Sequence, residues 1–159
     1  MKKTVFMCAF ALITGNLAAQ KIEEANVPST IKTTFAKSFP NVKGVKWSKE
    51  KEGEFEAEFK NGGVEQSANF DETGKWLVTE TKINKKDLPL AVQDALKKEF
   101  AGYKIEEATK IESLKNGSCF EAEIEKGKET FDVLLTADGK LLSKTKVEEE
   151  KDKEKGEKD

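Results

Sequence analysis

The sequence predicts an α+β fold made of two tandem repeats, each one helix packed on a four-stranded antiparallel meander, with the meanders joined into one continuous sheet. Three observations carry this. Phe55-Glu56-Ala57-Glu58-Phe59 recurs as Phe120-Glu121-Ala122-Glu123-Ile124, and Gly74-Lys75-Trp76-Leu77 as Gly139-Lys140-Leu141-Leu142, both 65 residues apart. Asn26-Val27-Pro28 recurs as Asp87-Leu88-Pro89, and Phe39 as Phe100, now 61 residues apart, so the second copy holds a four-residue insertion between its helix and its Phe-Glu-Ala-Glu strand. Within each copy the apolar period changes from about four to two along the chain.

The helices come first. Val27, Ile31, Phe35 and Phe39 fall at spacings of four, as do Leu88, Val92, Leu96 and Phe100, which gives each helix one apolar stripe. Asn26 and Asp87 are the expected N-caps, with Pro28 and Pro89 in the first turn, where a missing amide proton costs nothing. Pro40 and Gly102 are the expected stops. The strands follow. Gly53, Asn61-Gly62-Gly63 and Asp71 to Gly74 divide the first copy into four short extended runs, and Asn116-Gly117, Lys126-Gly127 and Asp138-Gly139 divide the second. Connections this short join antiparallel neighbours. Phe55, Ala57 and Phe59 then face the helix and Glu54, Glu56 and Glu58 face away; Phe120, Ala122 and Ile124 repeat this against Glu121, Glu123 and Glu125. The organisation expected is residues 1–19 a signal peptide, 20–83 the first repeat, 84–147 the second and 148–159 a charged disordered tail. A unit of about 60 residues is marginal alone, so the two copies should pack together.

Lys2 and Lys3, the apolar run from Val5 to Ile13 and the small residues up to Ala19 read as a secretory signal, with cleavage expected after Ala19. The run falls short of the roughly 20 apolar residues that a membrane span needs, so no stable insertion is expected once the signal is removed. Cys8 lies inside this run behind Phe6 and Met7, which does not suit lipid attachment. Cys119 is then the mature chain's one thiol, expected as a small buried group on a strand and unable to form an internal disulfide.

Charge and composition exclude several functions. Two of the 28 basic residues and none of the 30 acidic ones precede Gln20, which leaves the remainder at −4. Every basic residue is Lys, so no guanidinium fork is available for phosphate, and nucleic-acid binding is not expected. With no His and one mature thiol, neither a metal centre, a cofactor nor an activated nucleophile is expected. Asp71 to Gly74 and Asp138-Gly139 lack alternating acidic ligands and read as hairpin turns instead of calcium loops. No catalytic residues are expected.

Val27-Pro28, Phe39-Pro40, Val45-Lys46-Trp47, Phe55 to Phe59 and Asp71-Glu72-Thr73-Gly74-Lys75-Trp76-Leu77 resemble the PepSY-like family described as similar to β-lactamase inhibitor protein, over residues 26–147. The second copy departs from the pattern at Ala101 and Leu141, where the first has Pro40 and Trp76. The resemblance implies an exported protein whose open sheet face can grip another protein.

The expected function is therefore a non-enzymatic, periplasmic or secreted binding module, monomeric, that holds an envelope or extracellular protein or peptide on its outer sheet face. The alternative is a small-ligand or cation carrier built on the carboxylate stripe. Partner-contacting candidates are Trp76, Trp47, Tyr103, Glu54, Glu56, Glu58, Glu121 and Glu123. Trp47 alternates with Val45 and reads as core. Leu77 is expected inward and Trp76 outward. The stripe itself is expected to be a solvated face neutralised by Lys46, Lys49 and Lys60.

Overall fold

The computed structural model describes residues 20–147, and among these are two ten-residue α-helices and nine strands. The expected signal peptide and charged tail lie outside the described residues. The strands are β1 (Gln20–Ile22), β2 (Lys46–Lys51), β3 (Glu54–Asn61), β4 (Val64–Asp71), β5 (Trp76–Lys82), β6 (Lys104–Ser113), β7 (Gly117–Lys126), β8 (Glu129–Thr136) and β9 (Leu141–Lys146). Helix α1 (Ser29–Ser38) follows β1, and α2 (Leu90–Glu99) follows β5. All nine strands form one antiparallel sheet in sequence order. The continuous α+β sheet of two repeats is what the sequence predicts.

Each helix is held by its stripe. Ile31 and Phe35 are buried with Trp47, Ala57, Phe59, Ala68 and Phe70 in one cluster. Val92 and Leu96 are buried with Ala108, Phe120, Ala122, Ile124, Val133 and Leu135 in the other. Burying a large apolar side chain stabilises by about 1.5–3 kcal/mol, whereas a ten-residue helix is marginal in isolation, so the sheet holds the helices in place. At matching positions the first core is aromatic where the second is aliphatic: Phe35 against Leu96, Phe59 against Ile124, Phe70 against Leu135. Phe35 sits 5.0–6.4 Å, ring centre to ring centre, from Phe39, Trp47, Phe59 and Phe70.

The helix starts differ from expectation. Asn26 and Asp87 end short 3-10 turns, Glu24–Asn26 and Lys85–Asp87, and the residues flanking the helices are Pro28 and Pro89. Their carbonyls accept the first helical bonds, from Lys32 N and Gln93 N. With proline in that position, neither helix has a side-chain cap. Ahead of the helices, Val27 and Leu88 are both buried and anchor the approach.

The first repeat carries a strand that the sequence pattern does not reveal. β1 pairs Lys21 with Ser48 and Ile22 with Trp47 on β2. Lys82 and Ile83, 61 residues on, do the same against β6, with Lys82 opposite Thr109 and Ile83 N bonded to Ala108 O. β1 is thus the counterpart of the end of β5, and three residues are too few to show a period.

The four-residue insertion lies in the β6–β7 hairpin. Lys49 pairs with Phe55 in the first repeat and Lys110 with Phe120 in the second, but the second hairpin goes on through Ile111–Cys119, Glu112–Ser118 and Ser113–Gly117. β5 pairs Glu80, Thr79 and Val78 with Ile111, Glu112 and Ser113 on this extension. The extended hairpin therefore supplies three of the five residue pairs that join the repeats.

Two turns also tie sheet to helix. Gly74 and Gly139 have φ of +89° and +85°, and a Cβ at Gly74 would stand 2.8 Å from the backbone carbon of Thr30; one at Gly139 would collide with the carbonyl of Ala91. Glycine is required twice over, by backbone conformation and by the helix pressed against the turn.

Candidate functional site

Register across the sheet defines two faces. Glu58, Ser67, Glu80, Ile111 and Cys119 lie in one row over β3 to β7, and Ala57, Ala68, Thr79 and Glu112 in the adjacent row of opposite orientation. Because Ala57 and Ala68 are under α1, and Phe120 and Ala122, out of phase with Cys119, are under α2, both helices cover the same side. The other side has no described element over it.

That helix-free face is not the uniformly solvated stripe the alternation predicts. Its centre is an apolar cluster of Val78, Ile111 and Cys119, with Leu134 packed against it. Cys119 is a buried free thiol, as expected, with its pKa raised by burial and by the carboxylates of Glu121 and Glu80. Around this centre the carboxylates are part-buried. In the first repeat Glu56 is 5% exposed and accepts a bond from Ser48 Oγ at 3.3 Å. Glu54 pairs with Lys51 at 2.8 Å and accepts from Asn69 Nδ2 at 3.2 Å. Asn69 Oδ1 is buried with no hydrogen-bond partner among the described residues. Glu58 stands opposite Lys46, and Lys60 pairs with Glu65 at 3.2 Å, but Lys49 faces Phe55 on the helix side and neutralises nothing here.

The second repeat concentrates acid more strongly. Glu107, Glu123 and Asp132 stand directly opposite one another on β6, β7 and β8, an arrangement that destabilises when all are charged. Glu121, the next outward residue along β7, lies between Thr109 and Leu134. Burial, followed by repulsion from Asp132, Glu80 and Glu123, pushes Glu121 up to about 8. Burial, with Glu123, Glu80 and Glu107, pushes Asp132 up to about 6. Glu123 is raised by burial and by Glu107, Glu106 and Glu125, against the opposing pull of Lys82. Lys82 Nζ is 2.9 Å from Glu107 Oε1 and supplies the local counter-charge. The proton that Glu121 keeps near neutral pH relieves part of the repulsion that desolvation magnifies. Among the described residues no group of three acidic or thiol side chains converges closely enough to hold a metal ion.

The aromatic candidates lie elsewhere. Trp47 is buried in the first core, as expected. Trp76, expected to face outward, pairs with Phe70 and packs against that same core, with its indole N–H donated to Thr79 Oγ1 at 2.8 Å. The reason is a bulge: the register shifts between Asn69 and Phe70, so Leu77 is the extra residue and Trp76 and Val78 fall on opposite faces. Tyr103 is half-buried beside α2, edge-on to Phe100 and Phe131, with its hydroxyl donated to Glu129 Oε2. None of the three aromatics joins the carboxylates. The face instead adds Glu80, Glu107 and Asp132, which alternation alone does not single out. Asp132, one acid inside Phe131-Asp132-Val133-Leu134-Leu135, was the available signal.

The sequence matches the family described as "Putative beta-lactamase-inhibitor-like, PepSY-like" over residues 16–67 and again over 53–143. No curated protein matches the chain significantly. A solved BLIP-like protein from Bacteroides fragilis is 26% identical, with a TM-score of 0.67 over 79% of this chain and 89% of that one. A DUF2874 family protein from Bacteroides uniformis is 23% identical, with a TM-score of 0.70 over 76% and 89%. A Bacteroides eggerthii structure described among "putative periplasmic proteins" is 19% identical, with a TM-score of 0.71 over 76% and 89%. No described helix is long and apolar enough to cross a membrane. Two matched stretches, one fold and one internal duplication make this chain a member of the PepSY-like, beta-lactamase-inhibitor-like family.

Proposed function

We propose that the protein is a non-enzymatic binding module of the periplasm that holds a protein or peptide against its helix-free sheet face, through a segment of the partner rich in Lys or Arg. The observation that carries this reading is the line of Glu107, Glu123 and Asp132 beside Glu121, on a face no described element covers. Cationic groups brought against these carboxyls would replace the mutual repulsion with charge-assisted bonds. A donor from the same partner would also satisfy the buried Asn69 Oδ1. The family description supports one extension: where the partner is an enzyme, occupying it would inhibit it.

The test is capture of partners from a native envelope extract by the immobilised mature protein, followed by mass spectrometry. The expected result is a basic partner whose retention falls with salt and with Glu123→Gln plus Asp132→Asn. Since Glu121 and Asp132 hold protons to about 8 and about 6, binding a cation should release protons, and affinity should rise with pH across that window. Calorimetry in buffers of different ionisation enthalpy measures that release. Equal capture by the double variant would sink the proposal.

A further inference from the structure

We infer that the first repeat carries a second site, on the helix side of the sheet, that binds a small molecule with an apolar body and one carboxylate. A cleft of about 380 Å³ opens between the C-terminal half of α1 and the loop that leads into β2, with Phe35, Phe39, Val42, Val45 and Trp47 along its walls. That volume lies within the range of small-ligand sites, and the aromatic walls favour an apolar occupant.

The cleft's apolar lining sets it apart from the corresponding loop of the second repeat, where a cleft of about 200 Å³ is lined by Gly102, Lys104, Glu106, Glu125, Lys126 and Gly127. Counting 61 residues on, Val42 corresponds to Tyr103. Tyr103 packs against the second core, edge-on to Phe100 and Phe131. In the first repeat a Cβ placed on Gly44 would meet nothing within 4 Å. The space that Tyr103 fills in one half is left open in the other by the smaller Val42.

Charge at the mouth selects the class of ligand. Lys32 and Lys43 stand at the rim with one carboxylate, that of Glu24. Lys32 Nζ donates to the Glu24 carbonyl oxygen at 3.2 Å, which fixes its ammonium beside the opening. Lys43 is exposed and enters no ion pair among the described residues. A carboxylate on the ligand would lie against the two ammonium groups while its body filled the aromatic cleft. This site is on the opposite side of the sheet from the carboxylate face and stands or fails independently of it.

Trp47 supplies the readout. In a Trp76→Phe background, titrating the protein with octanoate and with 3-phenylpropionate should shift Trp47 emission saturably, and which acid binds more tightly separates aliphatic from aromatic ligands. The uncharged counterparts, octan-1-ol and 3-phenylpropan-1-ol, should bind roughly two- to five-fold more weakly, the size of one exposed ion pair. Lys43→Ala should narrow that difference, and Lys32→Ala with Lys43→Ala should erase it. Val42→Tyr, which imports the plug of the second repeat, should abolish binding of either acid. Should the tyrosine variant not fold, amide shifts of the Lys43→Ala protein on adding either acid locate the ligand instead, and they should fall within residues 32–47. No saturable shift at millimolar ligand, wild-type affinity in Val42→Tyr, amide shifts outside residues 32–47, or alcohols binding as tightly as acids would overturn the inference.

Discussion

At the scale of single residues, Glu121 ties stability to pH. Folded, it keeps its proton up to about 8; unfolded, it loses it near 4.5. Between those values the folded chain binds more protons than the unfolded one, so this group's contribution is complete below 4.5 and is lost as pH rises towards 8. Asp132 adds a loss of the same sign between 3.8 and about 6. Asp71 and Asp138 act oppositely: hydroxyl bonds from Thr73 and Thr136 lower them, so their stabilisation disappears in acid. We therefore expect thermal unfolding scans to give a lower Tm at pH 8 than at pH 4.5. Glu121→Gln should raise stability at the higher pH by an amount on the order of a few kcal/mol and change little at the lower. A wild-type profile flat across that window would contradict the assignment. None of this was legible from the chain, because Phe120-Glu121-Ala122-Glu123-Ile124 has the alternation of a wet outer face. What buries Glu121 is the company of Leu134 and Asp132 from β8, a partnership that no local pattern encodes.

At the scale of elements, legibility followed length. Eight- and ten-residue strands with turn signals at both ends, and helices with four apolar residues in step, were read in the right order. β1, with three residues, was not, and one bulge in β5 reversed the side given to Trp76. The last strand shows how the sheet ends. β9 is the counterpart of β5, but all six of its residues are exposed, and Ser143, Lys144 and Thr145 stand where β5 has Val78, Thr79 and Glu80. Lys144 turns its ammonium over the rings of Phe131, at 3.7 Å, and Phe100, at 5.4 Å, so it covers the end of the core while leaving a charge on the edge. Replacing Lys144 and Lys146 with Val should give self-association that grows with concentration in analytical ultracentrifugation, while the unaltered chain sediments as a monomer. A double variant that stays monomeric throughout would show that the lysines do not guard the edge.

At the scale of the whole molecule, the repeats are coupled through the extended β6–β7 hairpin. Deleting Ile111, Glu112, Ser118 and Cys119 would restore the hairpin length of the first repeat, removing the buried Ile111 and Cys119 and two of the five pairs β5 makes with β6. Loss of buried side chains of this size costs several kcal/mol, and the expected outcome is that one calorimetric transition becomes two. A single transition with an unmoved midpoint would place the coupling elsewhere. The insertion was detected in the sequence as a change of spacing from 61 to 65, but its purpose was hidden, since only the assembled sheet brings β5 against it. The division into an aromatic and an aliphatic core has one more outcome. Both tryptophans, Trp47 and Trp76, belong to the first half, and the lone tyrosine, Tyr103, to the second. The chain thus carries its own optical labels: indole emission follows the melting of one half, phenol absorbance that of the other, and the lag between the two signals times their separation without any dye.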